Sequence, residues 1–196
     1  QHVGYYQRPL ATVMYLGILL VYFLAYWFLL RHAKKMTYEK IRNLILVVFA
    51  ILVFSYPAAF SYDFFNYLFT AKTVLVYHQN PYTVTPLQFA PIDPWTNFMR
   101  WTHLPSAYTP FWIGMSLIPY VAGLGYFLTV LFAMKFMIAG FYLIACWALW
   151  KATKSVMALS VFALNPLILV ESLVSGHNDI VMVAFVLLAV AYNKNW

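Results

Sequence analysis

An all-α fold is what this sequence predicts: a polytopic transmembrane helical bundle with a long extracytoplasmic first loop that carries interfacial helices. Three observations lead there. First, of 196 residues 64% are hydrophobic and only 9% charged, where a soluble domain is about half apolar and a quarter charged. Second, residues 10–30 carry no charge at all, which is the length a bilayer span requires, about 20 residues. Third, Arg31, Lys34, Lys35, Lys40 and Arg42 follow at once, opposed by Glu39 alone, and a short loop rich in Lys and Arg stays in the cytoplasm. This composition excludes an ordinary soluble domain and a disordered chain. The net charge of +7 does not argue for nucleic acid, because the basic residues are few and sit where membrane topology puts them. No nucleic-acid partner is expected, and the bilayer is. Cys146 is the single cysteine and forms no internal disulfide.

The elements follow in order. Span 10–30 starts outside and runs inward. Span 43–60 returns outward and stops near Pro57. Residues 61–110 break the apolar pattern with Pro81, Pro86, Pro91, Pro94, Pro105 and Pro110 among polar and aromatic residues, so they form the long outer loop. Within it, 64–77 alternates Phe65, Leu68, Phe69 and Leu75 with Asn66, Thr70 and Lys72, the pattern of a helix lying in the interface. The stretch 111–150 has one charge, Lys135, and a break at 119–125. Lys151 and Lys154 fall inside if 108–124 is a partial or interfacial helix and 126–150 is a full inward span. Span 155–172 then runs outward, with a kink at Asn165-Pro166 whose freed backbone groups need partners. The polar turn 175–179 faces outside, and 180–196 starts back in. The final apolar run is short for a span, so the chain is expected to be the N-terminal part of a longer multi-pass protein, read here as one transmembrane domain over 1–196.

Acids are scarce: Glu39, Asp63, Asp93, Glu171 and Asp179. Glu39 belongs to the basic loop. The other four lie on the outer side in this topology. Asp63 and Asp179 each sit within a few residues of a membrane boundary, and ionisable groups at membrane depth are costly enough to make these two functional candidates. Asp63 is readable as an N-cap for the helix that follows or as a catalytic carboxylate. Asp179, in Gly176-His177-Asn178-Asp179, allows the same two readings, and His177 with Asp179 would make only a weak metal pair. Lys135 either snorkels or faces a polar cavity and holds an anion. His78 and His103 sit in the aromatic loop, where a hydrogen-bonded structural role is the commoner one.

Taken together, several segments form a familiar order. Asp63 follows a span, Tyr67 comes next, then Val76-Tyr77-His78-Gln79-Asn80-Pro81-Tyr82, then Trp101-Thr102-His103-Leu104-Pro105-Ser106-Ala107-Tyr108-Thr109-Pro110. Asn165-Pro166-Leu167 and Gly176-His177-Asn178-Asp179 come later. This resembles the GT-C superfamily of integral-membrane glycosyltransferases, and within it the polyprenol-phosphate-mannose-dependent α-mannosyltransferases, over roughly residues 44–190. Two departures stand out: His78 replaces the usual glycine before x-Asn-Pro-Tyr, and Thr109 replaces the glycine before Pro110.

The resemblance implies an extracytoplasmic active site in an integral membrane protein of the cell envelope. It implies a polyprenyl-phosphate sugar donor, with mannose as the sugar, and a glycan or glycolipid acceptor. Transfer would proceed with inversion. Asp63 would be the catalytic base, and Tyr67, Asn80, Tyr82, His103, Tyr108, Lys135, His177, Asn178 and Asp179 would bind substrate. Lys135, Arg100, Lys72 and His103 are candidates to support the leaving phosphate. No metal and no other cofactor is expected, although a divalent ion is compatible with the chemistry. Two alternatives from other classes remain at this point. A transporter or channel fragment would use Lys135 and the broken helix, but no inverted repeat is visible. A non-catalytic subunit of a lipid-processing complex would tolerate loss of Asp63.

Overall fold

The structure is a computed structural model that describes residues 6–57 and 61–193. Among the described residues there are helices, turns and loops and no strand. In chain order the helices are α1 (Arg8–Ala33), α2 (Tyr38–Leu52), α3 (Asp63–Leu75), α4 (Pro110–Ala122), α5 (Phe127–Thr153), α6 (Val156–Ala163), α7 (Pro166–Leu169) and α8 (Asp179–Tyr192). Two 3-10 turns, Pro86–Phe89 and Pro94–Phe98, lie in the long loop, and a π-helical segment, Val170–Ser175, follows α7. The ends of the expected spans 43–60 and 180–196, at 58–60 and 194–196, lie outside the described residues.

Helices α1 and α5 are each long and apolar enough to cross a membrane, and α6 with the 166–175 segment makes a third if the bent pair is one span. α2 differs from the expected span 43–60. It begins at Tyr38, just after Thr37 leaves the chain extended, and it carries Glu39 in its first turn. It stops at Leu52, where the N–H and hydroxyl of Ser55 both turn back onto the Leu52 carbonyl ahead of Pro57. Its 15 residues rise about 22 Å at 1.5 Å each, short of a hydrocarbon core of about 30 Å. α4 has 13 residues and is shorter still, in keeping with a partial helix over 108–124. Thr109 is its N-cap, accepting a hydrogen bond from the Trp112 N–H at 3.4 Å, which gives this threonine a task that glycine cannot perform.

Helix α5 is the axis of the bundle. Val130, Met134, Ile138, Tyr142 and Ala145 are buried along one face at helical spacing, and α8 packs against α5 through Ile180, Val181 and Ala184. Small residues such as Ala139 and Ala184 let the backbones approach. The break at Asn165-Pro166 bends the chain by 54°. Its freed groups are satisfied in three ways. Asn165 Oδ1 accepts from the Leu167 N–H at 2.9 Å. The Val161 carbonyl accepts from Tyr26 of α1 at 2.8 Å. The Ala163 carbonyl accepts from the buried Tyr142 hydroxyl at 2.7 Å.

Helix α3 is enclosed more fully than an interfacial helix needs to be. Phe64, Tyr67, Leu68, Phe69 and Ala71 are all buried, because α4 covers one side and the Pro94–Phe98 turn another. One buried ion pair pins that loop. Asp93 is fully buried, with Lys72 Nζ at 2.7 Å. It also accepts from the Tyr77 hydroxyl at 2.8 Å and the Trp95 N–H at 3.0 Å. The Lys72 ammonium stands 4.2 Å over the Trp95 ring. Burial first, and the Asp93 carboxylate second, push the Tyr77 phenol up to about 12, so it remains a donor.

His78 ends this stretch with φ at +51°, a left-handed backbone that costs a non-glycine residue roughly 1–2 kcal/mol. That explains a glycine preference at this exposed position. His78→Gly is expected to stabilise the protein by about 0.5–1 kcal/mol, once the extra backbone entropy of glycine is subtracted. Thermal unfolding in detergent checks this.

The two ends of the bundle differ in charge. Tyr38 stacks on Trp150 at 4.0 Å, and Lys151 lies 3.2 Å over the Tyr192 ring. This end therefore gathers the basic loop and Lys151. The acids Asp63, Glu171 and Asp179 gather at the other.

Candidate functional site

Asp63 is the first residue of α3, and the N-cap position falls on Tyr62. The carboxylate sits where the helix dipole favours negative charge, and its backbone N–H rests on Ser61 Oγ at 3.2 Å. Its side chain remains 40% exposed. It lines a cavity of about 150 Å³ together with Asn66, Met99, Trp101, Pro105 and Tyr108. Asn66, three residues on, shares its helix face.

The bent segment delivers the facing half. The chain leaves the π-helix through Gly176 at φ +68°. The N–H groups of Gly176 and His177 both end on the Glu171 carbonyl. His177 Nδ1 lies 2.5 Å from Glu171 Oε2, and its Nε2 lies 4.0 Å from Asp63 Oδ2. Asn178 Oδ1 accepts from the Tyr67 hydroxyl at 3.3 Å. Asp179 is exposed and opens α8, with Asn178 at the N-cap. Glu171, Ser172, His177 and Asp179 border a second cavity of about 200 Å³ whose remaining wall is apolar, including Phe162, Leu167 and Ile180.

Gly176 fits because it has no side chain. A Cβ there would meet Phe64 Cδ2 at 2.7 Å, and Phe64 is the neighbour of Asp63. Gly176→Ala therefore combines left-handed strain with a collision against a fully buried ring. We expect it to cost about 2 kcal/mol. Thermal unfolding of the variant beside the wild type measures the loss.

Aromatic rings frame the contact. Tyr67 meets Tyr108 edge-on at 4.8 Å and Trp112 at 5.0 Å. Burial, followed by the neighbouring Tyr108 and Asp63, raises the Tyr67 phenol above its ordinary range. Burial and the Asp63 charge do the same to Tyr108. Both phenols stay neutral. Among the described residues four buried side-chain atoms have no hydrogen-bond partner: Asn66 Oδ1, Trp112 Nε1, Ser175 Oγ and His177 Nε2. Asn66 and His177 border the two cavities, Trp112 packs on Tyr67, and Ser175 precedes the tight turn. Buried polar atoms are nearly always paired, and of these four Asn66 and His177 belong to residues that line the cavities.

The other candidate residues fall into distinct places. Asn80 is exposed, and its Oδ1 accepts from the Tyr82 N–H at 3.0 Å. Tyr82 donates to the Tyr108 carbonyl at 2.7 Å, and the Ser106 N–H donates to the Pro81 carbonyl at 2.8 Å. This turn thus braces the segment that forms the cavity wall. His103 is exposed, with its ring 6.4 Å from Trp101. Lys135 is buried, and its ammonium donates to the Leu173 carbonyl, to the Val174 carbonyl at 3.0 Å and to Ser55 Oγ at 3.4 Å. It caps the carbonyl end of the π-segment. Lys72 is engaged with Asp93. The Arg100 guanidinium is exposed, 4.6 Å over the ring of Tyr62, beside Asp63. Among the described residues no group of three or more His, Cys, Asp or Glu could hold a metal ion.

Glu171 and Asn66 were not among the site residues expected from the sequence. The three-residue step from Asp63 was a usable signal for Asn66. Residues six apart in an α-helix point about a third of a turn away from each other, so no helical period pairs Glu171 with His177. Residues 2–196 of the chain match the family described as Alpha-(1->6)-mannopyranosyltransferase, N-terminal domain. No curated protein and no solved structure matches it.

Proposed function

This chain belongs to the alpha-(1->6)-mannopyranosyltransferase family through its N-terminal domain, and from that premise we propose that it serves mannose transfer from a polyprenyl-phosphate donor to an acceptor hydroxyl, with Asp63 as the general base. The observation that carries the reading is the meeting of Asp63 with the 171–179 turn, between a mixed polar and apolar cavity that Asp63 itself lines and another lined mainly by apolar side chains. The acceptor, a glycan or glycolipid, presents its hydroxyl to Asp63 from the cavity that Asp63 lines. Its oxygen bonds to the anomeric carbon, the bond from that carbon to the phosphate oxygen breaks, and the hydroxyl proton passes to Asp63. Arg100, whose guanidinium lies over the ring of Tyr62 next to Asp63, is the cation placed to receive the leaving phosphate. Asn178 and Asp179 bind sugar hydroxyls, with Tyr67 holding Asn178, and His177 borders Asp63. The reading invokes no metal or other cofactor. The acidic end is taken as extracytoplasmic because the opposite end carries the basic loop.

A single displacement inverts the anomeric centre, so an α-linked product requires a β-linked donor. The test is mannose transfer in membranes carrying the full-length protein, with β- and α-configured polyprenyl-phosphate mannose and a nucleotide mannose compared. Transfer from the β-configured lipid alone is expected. Transfer from the nucleotide sugar, or from the α-configured lipid, would overturn the donor and the stereochemistry respectively.

A further inference from the structure

Glu171 lies outside the motifs and outside the mechanism above, yet its carboxylate is at 2.5 Å from His177 Nδ1. An ionised carboxylate only accepts hydrogen bonds. Facing it, Nδ1 must carry the proton, and in the neutral ring Nε2 is then the bare acceptor. That atom is buried, has no hydrogen-bond partner among the described residues, and faces Asp63 Oδ2 at 4.0 Å. The backbone reinforces the arrangement, because the Glu171 carbonyl holds the N–H groups of both Gly176 and His177. Lys135 holds the next carbonyls, Leu173 and Val174. The Glu171 carboxylate therefore orients the ring, and the braced turn holds the backbone that carries it. The charged groups around it are Glu171 from its own segment, Asp63 from α3 and Asp179 from α8.

We propose that Glu171 is a positioning residue that fixes the Nδ1–H tautomer of His177, so that His177 Nε2 relieves Asp63 of the proton taken from the acceptor. The inference rests on the reading of Asp63 as the base. The proton moves from the acceptor oxygen to Asp63 and then to Nε2. Asp63 is a carboxylate again, and the imidazolium lies between it and Glu171. Nε2 is buried, so the proton goes back by way of Asp63, whose side chain is 40% exposed, once the product has left.

The experiment uses the full-length protein in lipid nanodiscs with ¹⁵N-labelled histidine, the His177 signals being assigned by their loss in His177→Asn. Wild type should show a protonated Nδ1 and a bare Nε2. Glu171→Gln keeps an oxygen that can accept from Nδ1, so the tautomer should persist while kcat falls several-fold. Glu171→Leu should move the ring toward the Nε2–H tautomer and lower kcat by about ten- to a hundred-fold, as loss of a partner that orients a histidine does, with KM changed less than threefold. A wild-type ring protonated at Nε2 overturns the proposal. So does a Glu171→Leu protein whose spectrum or kcat is unchanged, or one in which KM alone responds. If Glu171→Leu does not fold, Glu171→Gln decides by the same two readouts. The spectra are recorded without turnover, so they stand apart from any failure of Asp63 as the base.

Discussion

Asp63→Asn should lower mannose transfer by about a hundred- to ten-thousand-fold, the range that general base catalysis contributes, and leave the protein folded and inserted. The asparagine keeps the volume of the side chain and its place at the first turn of α3, but it cannot take a proton. The stability change is confined to the lost attraction between a carboxylate and the helix dipole, about 0.3–1 kcal/mol. No side-chain cap is lost, because Tyr62 rather than Asp63 occupies the N-cap position. Initial rates at saturating donor and acceptor, beside melting curves of the same preparations, check both halves. Intact turnover with a lowered melting temperature would reduce Asp63 to a helix-start residue. Full activity and full stability would move the catalytic carboxylate elsewhere, with Asp179→Asn the next variant to assay.

Asp93→Leu is the largest stability change we expect, about 3–5 kcal/mol. The replacement strands the Lys72 ammonium, whose side chain is only 15% exposed, and removes the acceptors of the Tyr77 hydroxyl and the Trp95 N–H. Removing both charges together, as Lys72→Met with Asp93→Leu, should recover much of the loss, because an ion pair replaced by apolar groups is often near neutral. Thermal unfolding of the two singles and the double in one detergent measures the coupling. Equal destabilisation by the single and the double would mean that the ion pair contributes nothing beyond packing. Activity should follow stability here, since the pair lies behind α3.

The parts of this molecule that were legible in the sequence are the ones governed by local rules. Uncharged runs and Lys/Arg clusters locate α1 and α5, and Asn165-Pro166 announces the bend. The all-α fold class and the mannosyltransferase family are both borne out. What escaped depends on partners far along the chain. Nothing near Pro166 says that Tyr26 and Tyr142 will take the freed carbonyls, and nothing in the loop says that Lys72 will close on Asp93. The amphipathic pattern of 64–77 was visible, but not that α4 and the loop would cover its polar side. For the site, the residues alone left Asp63 and Asp179 with two readings each, and the order of motifs turned attention to Asp63 and 176–179. The structure brings Asp63, Tyr67, Tyr108, His177 and Asn178 together, leaves His103 and Asn80 exposed on the loop, and adds Glu171 through a π-helical turn that no regular period anticipates.

The bond from Tyr26 to the Val161 carbonyl joins residues 135 positions apart. None of the apolar window of α1 is buried, so during synthesis that helix has little to hold it except lipid. At about 5–20 residues per second, the ribosome needs roughly 7–27 seconds to make the carbonyl that the tyrosine awaits. Helix α1 thus gains this bond only long after its own residues are made. A chaperone or a translocon pause in that interval would act on a free-floating anchor rather than on a finished bundle.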